Sequence, residues 1–111
     1  MSARIEQVNS LLMKELAIII SREMPVHDCL VTVSYVKCSP DLRYAKIGIS
    51  VLPEKMAPRI LRKLKEKSPY FSALVKKKVR FKLIPKFHFE ADFSESKASE
   101  IDEILRQINE E

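Results

Sequence analysis

One glycine, Gly48, is all that the 111 residues contain, and tryptophan is missing altogether. Loops that cradle a nucleotide's phosphates need several glycines so that the backbone can approach the phosphates closely. A P-loop or a dinucleotide fingerprint is therefore excluded. Cysteine is nearly as scarce: Cys29 and Cys38 lie nine positions apart in a segment that reads as one strand. That spacing predicts side chains on opposite faces and too far apart to bond. No CxxC motif accompanies them, and the only histidines are His27 and His88. Small, buried, apolar thiols are expected, with no metal site and no cofactor. The longest unbroken apolar run, from Leu16 to Ile20, falls far short of the roughly 20 residues that cross a bilayer. No cationic stretch followed by an apolar core and a cleavage site marks a secretory signal. The expectation is one soluble, cytoplasmic, monomeric domain over residues 1–111, with no membrane contact.

What the chain does have is segregated charge. An apolar share of 46% is ordinary for a folded domain, and the net charge of +5 hides a strong asymmetry. Residues 1–53 are nearly balanced, with six basic and five acidic side chains. Residues 54–89 carry twelve basic side chains against Glu54 and Glu66 alone, and residues 90–111 carry eight acids against Lys97 and Arg106. A solvated surface usually mixes its signs. A block of one sign predicts a directional field and an anionic partner, of which nucleic acid is the commonest.

Periodicity supplies the elements. Ile5, Val8, Leu12, Leu16, Ile19 and Ile20 recur at helical spacing over residues 2–23, with Ser2 placed to cap and Pro25 to stop the helix. From Cys29 to Cys38 the period is two, with Val31, Val33 and Tyr35 on one side. A Ser-Pro-Asp-Leu turn leads into a second alternating run through Ala45, Ile47, Ile49 and Val51, and the two make a hairpin. One face of that hairpin is apolar and the other mixed, so helices should cover one side only. Residues 54–67 form a helix whose inner face is Met56, Ile60, Leu61 and Leu64. Pro69 inside a continuous helix costs about 3 kcal/mol or more, whereas Ser68 and Pro69 suit the start of a new one. Two helices with a sharp bend between them are expected. After Val79 the alternation of Val79, Phe81, Leu83, Phe87 and Phe89 predicts a strand to about residue 90, at an edge because of Pro85. A last helix is expected through Ile101, Ile104, Leu105 and Ile108. The order defines an α+β domain with a three-stranded sheet.

The bend gathers the positive charge. Lysines at a helix C-terminus complement its dipole, but that accounts for one or two of them. It leaves Arg62, Lys63 and Lys67 before the bend and Arg80 and Lys82 beyond Lys76, Lys77 and Lys78. These eight are the candidate RNA-binding residues, with Arg4 and Lys46 as lesser ones. A phosphate backbone relieves their mutual repulsion by giving up condensed counterions. Tyr44, on the open sheet face, is a side chain that can stack on a base, although plain surface exposure also explains it. Catalysis is not expected, because no nucleophile has a base beside it and the acids cluster on helical surface positions. A helix–bend–helix beside a three-stranded sheet is also the arrangement of KH domains, whose GXXG loop is replaced here by Lys67-Ser68-Pro69. A generic KH-like module for single-stranded nucleic acid is the alternative reading.

Two stretches resemble a known family. "VTVSYVKCSPDLRYAKIGISVL" is similar to the hairpin of ribosome-binding factor A, the bacterial maturation factor of the small ribosomal subunit, at Ser39, Asp41, Leu42, Ala45 and Lys46. "SPYFSALVKKKVRFKLIPKFHFEADFS" is similar to its third helix and third strand, at Arg80, Pro85, Phe89, Asp92 and Ser94. The resemblance implies a type II KH-like fold, α-β-β-α-kink-α-β-α, with a mixed sheet covered by helices on one face. It implies an Ala-x-Gly bend where this chain has Lys67 and Pro69. It further implies a non-enzymatic, RNA chaperone-like factor that binds the small (30S) subunit and its 16S rRNA. Such a factor assists late maturation and 5′-end processing of that RNA, matters most in the cold, and has assembly GTPases as candidate fellow partners.

Overall fold

The computed structural model describes residues 2–81 and 83–93. Helix α1 (Ser2–Glu23) is followed by strand β1 (Leu30–Cys38) and strand β2 (Tyr44–Leu52). A single 3-10 turn (Glu54–Met56), helix α2 (Ala57–Lys78) and strand β3 (Lys86–Ala91) complete the order. The expected last helix and Lys82 lie outside the described residues. Through β3 the order is that of the type II KH-like α+β fold. The sheet runs β1-β2-β3, with β1 antiparallel and β3 parallel to the central β2.

The core forms where the apolar stripes meet. Val8, Leu12, Leu16, Ile19 and Ile20 of α1 are buried, at the three- and four-residue spacing that keeps one helix face inward. Ala57, Ile60, Leu64, Phe71 and Val75 do the same for α2. Both stripes lie over Ala45, Ile47, Ile49 and Val51 of β2 and Phe87 and Phe89 of β3. Among the described residues no helix covers the opposite face of the sheet, as the one-sided pattern of the hairpin predicts. Ser2 is the first residue of α1 rather than its cap.

Three local expectations are corrected. First, Pro69 does not divide the helix; α2 runs through it without a break. The proline removes one N–H donor at about 3 kcal/mol, but Phe71 and Val75 beyond it are fully buried. Burying two such side chains contributes roughly 1.5–3 kcal/mol each, which offsets the cost and carries the helix onward. Second, the strand expected from Val79 begins only at Lys86, whose N–H donates to the Arg43 carbonyl at 2.8 Å. The Val79 N–H closes α2 on the Val75 carbonyl at 2.9 Å. Val79 is buried and Phe81 packs against the core, whereas Leu83 is 81% exposed. The alternation there comes from a packed linker rather than from ladder pairing.

Third, β1 carries a bulge. Val33 pairs with Ile49, but Tyr35 pairs with Gly48, so Ser34 is an extra residue. A bulge of one residue reverses the facing of everything after it. Val36 therefore turns into the core in place of Tyr35, and Tyr35 comes out on the open face. The same inversion puts Cys29 and Cys38 on the core side together, not on opposite faces. They remain free thiols at the two ends of the strand, and burial pushes the Cys38 thiol up from its ordinary pKa.

The hairpin turn is held by side chains. The Ser39 hydroxyl donates to Asp41 Oδ1 at 2.7 Å, and the same carboxylate accepts the Arg43 N–H at 3.1 Å. The Tyr44 N–H in turn donates to Ser39 Oγ at 3.1 Å. These bonds, the Ser39 hydroxyl foremost, hold the Asp41 carboxyl below the usual range. They fix Leu42 at φ 60°, a left-handed conformation that leucine rarely adopts.

Candidate nucleic-acid interface

Helix α2 presents eight basic side chains and one acid, Glu66. Because Ala57, Ile60, Leu64, Phe71 and Val75 fix its inward face, the rotation of 100° per residue sets where every cation points. Lys65 and Lys76 fall on the flank next to β3, where Lys65, Ser68, Pro69 and Ser72 line a cleft against the strand, and Arg62 stands on the outer ridge opposite the core. Lys63 and Lys67 fall on the other flank, toward α1, where the Tyr70 hydroxyl donates to Glu23 at 3.2 Å. Lys77 stands between the outer ridge and the α1 flank. All five of the expected residues among these, Arg62, Lys63, Lys67, Lys76 and Lys77, are exposed.

The structure strings these cations along one helix instead of drawing them to an elbow. Fourteen residues of α-helix separate Arg62 from Lys76, a distance of about 21 Å. Among the described residues, none of Arg62, Lys63, Lys65, Lys67, Lys76 and Lys77 has a carboxylate within ion-pairing distance. The two remaining cations of the helix are engaged. The Arg59 guanidinium donates to both oxygens of Asp28 at 2.7 Å, which lowers the Asp28 pKa and raises that of Arg59. Lys78 Nζ lies 3.9 Å from Glu15 Oε2, and the Glu15 side chain is only 15% exposed. Lys78 is thus a partner within the fold as well as a surface cation.

Arg80 is exposed in the linker after α2 and lines a second cleft of about 640 Å³ with Arg4 and Arg43, over Leu42, Phe81 and Leu83. The first cleft, about 710 Å³, holds Lys65 and Lys86 on its two walls. Arg43, Ile84 and Pro85 belong to both clefts, so the basic surface continues from α2 across the start of β3 to Arg80. Lys65 belongs to the cations that the sequence gathers at the bend, but neither it nor Lys86 nor Arg43 is among the eight candidate residues. Lys65 and Lys86 stand in the basic block, but only the facing of α2 against β3 brings all three to one groove. Lys82 lies outside the described residues. Exposed ammonium and guanidinium groups without carboxylate partners can bind phosphate oxygens as charges and as donors. Among the described residues, no three His, Cys, Asp or Glu side chains are grouped to hold a metal ion. No described helix is long and apolar enough to cross a membrane.

Fold and surface together define the class: a small α+β protein with a mixed three-stranded sheet and an open, polycationic helix surface. The pattern of the ribosome-binding factor A family matches residues 4–105. The chain is 34% identical to the ribosome-binding factor A of Chloroherpeton thalassium, over 99% of this chain and 90% of that one. It is 37% identical to that of Chlorobium limicola, over 97% and 93%. This protein belongs to the ribosome-binding factor A family. Among solved structures, ribosome-binding factor A from Thermus thermophilus superposes with a TM-score of 0.67 at 22% identity, covering 78% of this chain and 93% of that one. A putative ribosome-binding factor A from Thermotoga maritima superposes at 0.60 with 25% identity, covering 80% and 83%. A further likeness, TM-score 0.62 at 24% identity over 77% and 91%, is to a Thermus thermophilus homology model fitted into a cryo-EM map of a complex with the 30S subunit.

Proposed function

We propose that this protein binds the small (30S) ribosomal subunit through its 16S rRNA and assists late maturation of the subunit and processing of the rRNA 5′ end. It acts as a monomeric, cytoplasmic, non-catalytic RNA chaperone alongside assembly GTPases, with its strongest effect in the cold. The observation that carries this reading is the row of six α2 cations, Arg62, Lys63, Lys65, Lys67, Lys76 and Lys77, without a carboxylate partner among the described residues. Folding brings these six charges onto one helix at a cost in self-repulsion, and rRNA phosphates relieve it. Membership of the family and the 30S-bound Thermus relative support the choice of partner. Lys78, Arg80 and Lys82 complete the proposed contact set.

The test is a binding titration against purified small subunits, large subunits, and naked RNA and DNA at several salt concentrations. Neutralising about six phosphates gives a log–log salt slope of about −4 to −5. Tighter binding to free or immature small subunits than to large ones is the expected result. Equal binding to both subunits and to any polyanion points instead to a generic KH-like single-stranded nucleic-acid module. Cleavage of model RNA by the highly purified protein overturns the non-catalytic reading.

A further inference from the structure

The helices cover one face of the sheet, and the other face carries an arrangement that the α2 reading does not use. At the hairpin end of that face Tyr44 is 50% exposed, with its ring 5.5 Å from that of His88 and tilted by 45°. The register interleaves lysines with these rings: Lys86 stands opposite Tyr44, Lys46 opposite His88, and Lys37 opposite Lys46. Among the described residues none of these three lysines has a carboxylate within ion-pairing distance. Glu90, the acid of this face on β3, is two residues further along the strand and accepts the Tyr35 hydroxyl at 2.8 Å. The other ring of the face, Tyr35, is already occupied, because it lies over Gly48 with Lys37 Nζ 5.0 Å from its centroid. Tyr44 has a half-open ring instead, and positive charge on either side of it.

We propose that Tyr44 and His88 form a stacking platform for an unpaired RNA base, with Lys46 and Lys86 holding the flanking phosphates. Exposed rings interleaved with unpaired cations are the chemistry that binds single-stranded nucleic acid, since every base offers a flat π-face and every nucleotide a phosphate. A double helix keeps its base faces stacked inside and cannot use the rings. An acidic peptide would use the lysines and leave the rings idle. Lys86 and His88 also line the cleft beside α2, so one strand can run from the helix row over the edge of β3 onto the sheet. The proposal rests on the RNA reading of the α2 surface and adds a second, base-dependent contact to it.

Two single-stranded probes of equal length separate bases from phosphates: oligoadenylate, and an abasic oligonucleotide with the same number of phosphates. With the full chain, Tyr44→Ala combined with His88→Ala is expected to weaken oligoadenylate binding roughly 5- to 150-fold, the range expected for losing one stacked base. Binding of the abasic probe should change less than about twofold. Tyr44→Phe keeps the ring and should restore oligoadenylate binding in the presence of His88. Lys46→Glu should weaken both probes. Equal losses on the two probes, or no loss on either, overturn the stacking platform. Circular dichroism confirms that each variant is folded, which is expected of substitutions on an open sheet face. Lys76→Glu with Lys77→Glu, run in parallel against small subunits, keeps the two readings apart. If that variant loses the subunit while Tyr44→Ala changes neither probe, the platform is wrong and the α2 reading stands.

Discussion

Replacing Gly48 by alanine tests the facing of the sheet at its most crowded point. Gly48 has no unusual backbone conformation, so the substitution meets no φ penalty and on local preference alone should favour the strand. The obstacle is the cross-strand partner. A Cβ built on Gly48 falls inside the ring of Tyr35, against Cδ2, Cε2 and Cζ. The ring cannot slide aside without losing its hydroxyl's bond to Glu90 and its contact with Lys37. Overpacking of this kind costs about 1–3 kcal/mol. At roughly 4 °C per kcal/mol for a domain of this size, the thermal midpoint should fall by about 4–12 °C. The assay is thermal unfolding followed by circular dichroism, applied to a double-mutant cycle. In a Tyr35→Ala background the ring is gone, and Gly48→Ala should then be neutral or stabilising. A coupling of about 1–3 kcal/mol between the two sites is expected. If Gly48→Ala costs the same in both backgrounds, or costs nothing in the native one, the bulge at Ser34 does not place Tyr35 over Gly48.

The remaining predictions are shorter. Lys76→Glu with Lys77→Glu should abolish or strongly weaken small-subunit binding and leave the thermal midpoint nearly unchanged, as both are exposed and unpaired among the described residues. Lys78→Glu, by contrast, sets a second acid against the largely enclosed Glu15 and should lower the midpoint as well; equal midpoints for the two variants refute the pairing. Burial and the adjacent Glu90 push the Tyr35 phenol up to about 12. A raised folded pKa means a contribution to stability that is complete below the unfolded value of about 10 and is lost as pH rises from there through about 12. Ultraviolet titration of phenolate should show a late phase that Tyr35→Phe removes. The Asp28 carboxyl, held down chiefly by its bond to Arg59, works in the opposite direction. Its contribution is present above about 4 and is lost as pH falls through the lowered folded value. Arg59→Ala should therefore flatten the acid limb of the stability curve.

Helix α1, the hairpin and the one-sided cover were legible because their signals are local. Apolar residues at Val8, Leu12, Leu16 and Ile19 can share a face only in a helix, and those at Ala45, Ile47, Ile49 and Val51 only in a strand. The bulge at Ser34 was not legible. Val31, Val33 and Tyr35 alternate perfectly in sequence, and only pairing against β2 reveals that the period slips after Val33. The purpose of the one glycine was hidden with it, since Tyr35 reaches Gly48 only after that slip. The segment after α2 misled for a related reason. Burial of Val79 and partial burial of Phe81 imitate a strand while no ladder forms. Of the basic surface, the charge block was plain in the sequence, but its layout was not. Which cations share a flank depends on the helix continuing past Pro69, and that was settled by the burial of Phe71 and Val75 further along the chain.

Continuity through Pro69 carries its own consequence. In an α-helix the N–H of residue 69 would donate to the carbonyl of Lys65, and proline has no such hydrogen. Lys65 itself lines the cleft between α2 and β3, together with Lys86. Pro69 itself is exposed, so Pro69→Ala removes no core contact. It restores a backbone donor and a better helix former, and the thermal midpoint should rise, with up to about 3 kcal/mol available from propensity. The phosphate-binding row should be indifferent to the change. Lys65 and Lys76 sit on one flank because the helical rotation is preserved across Pro69, and alanine preserves it too. Small-subunit affinity within about twofold of the native chain, and the same salt slope, are the expected result. A loss of tenfold or more together with a higher midpoint would mean that the proline's local distortion, rather than the continuous helix, sets the spacing of the cations.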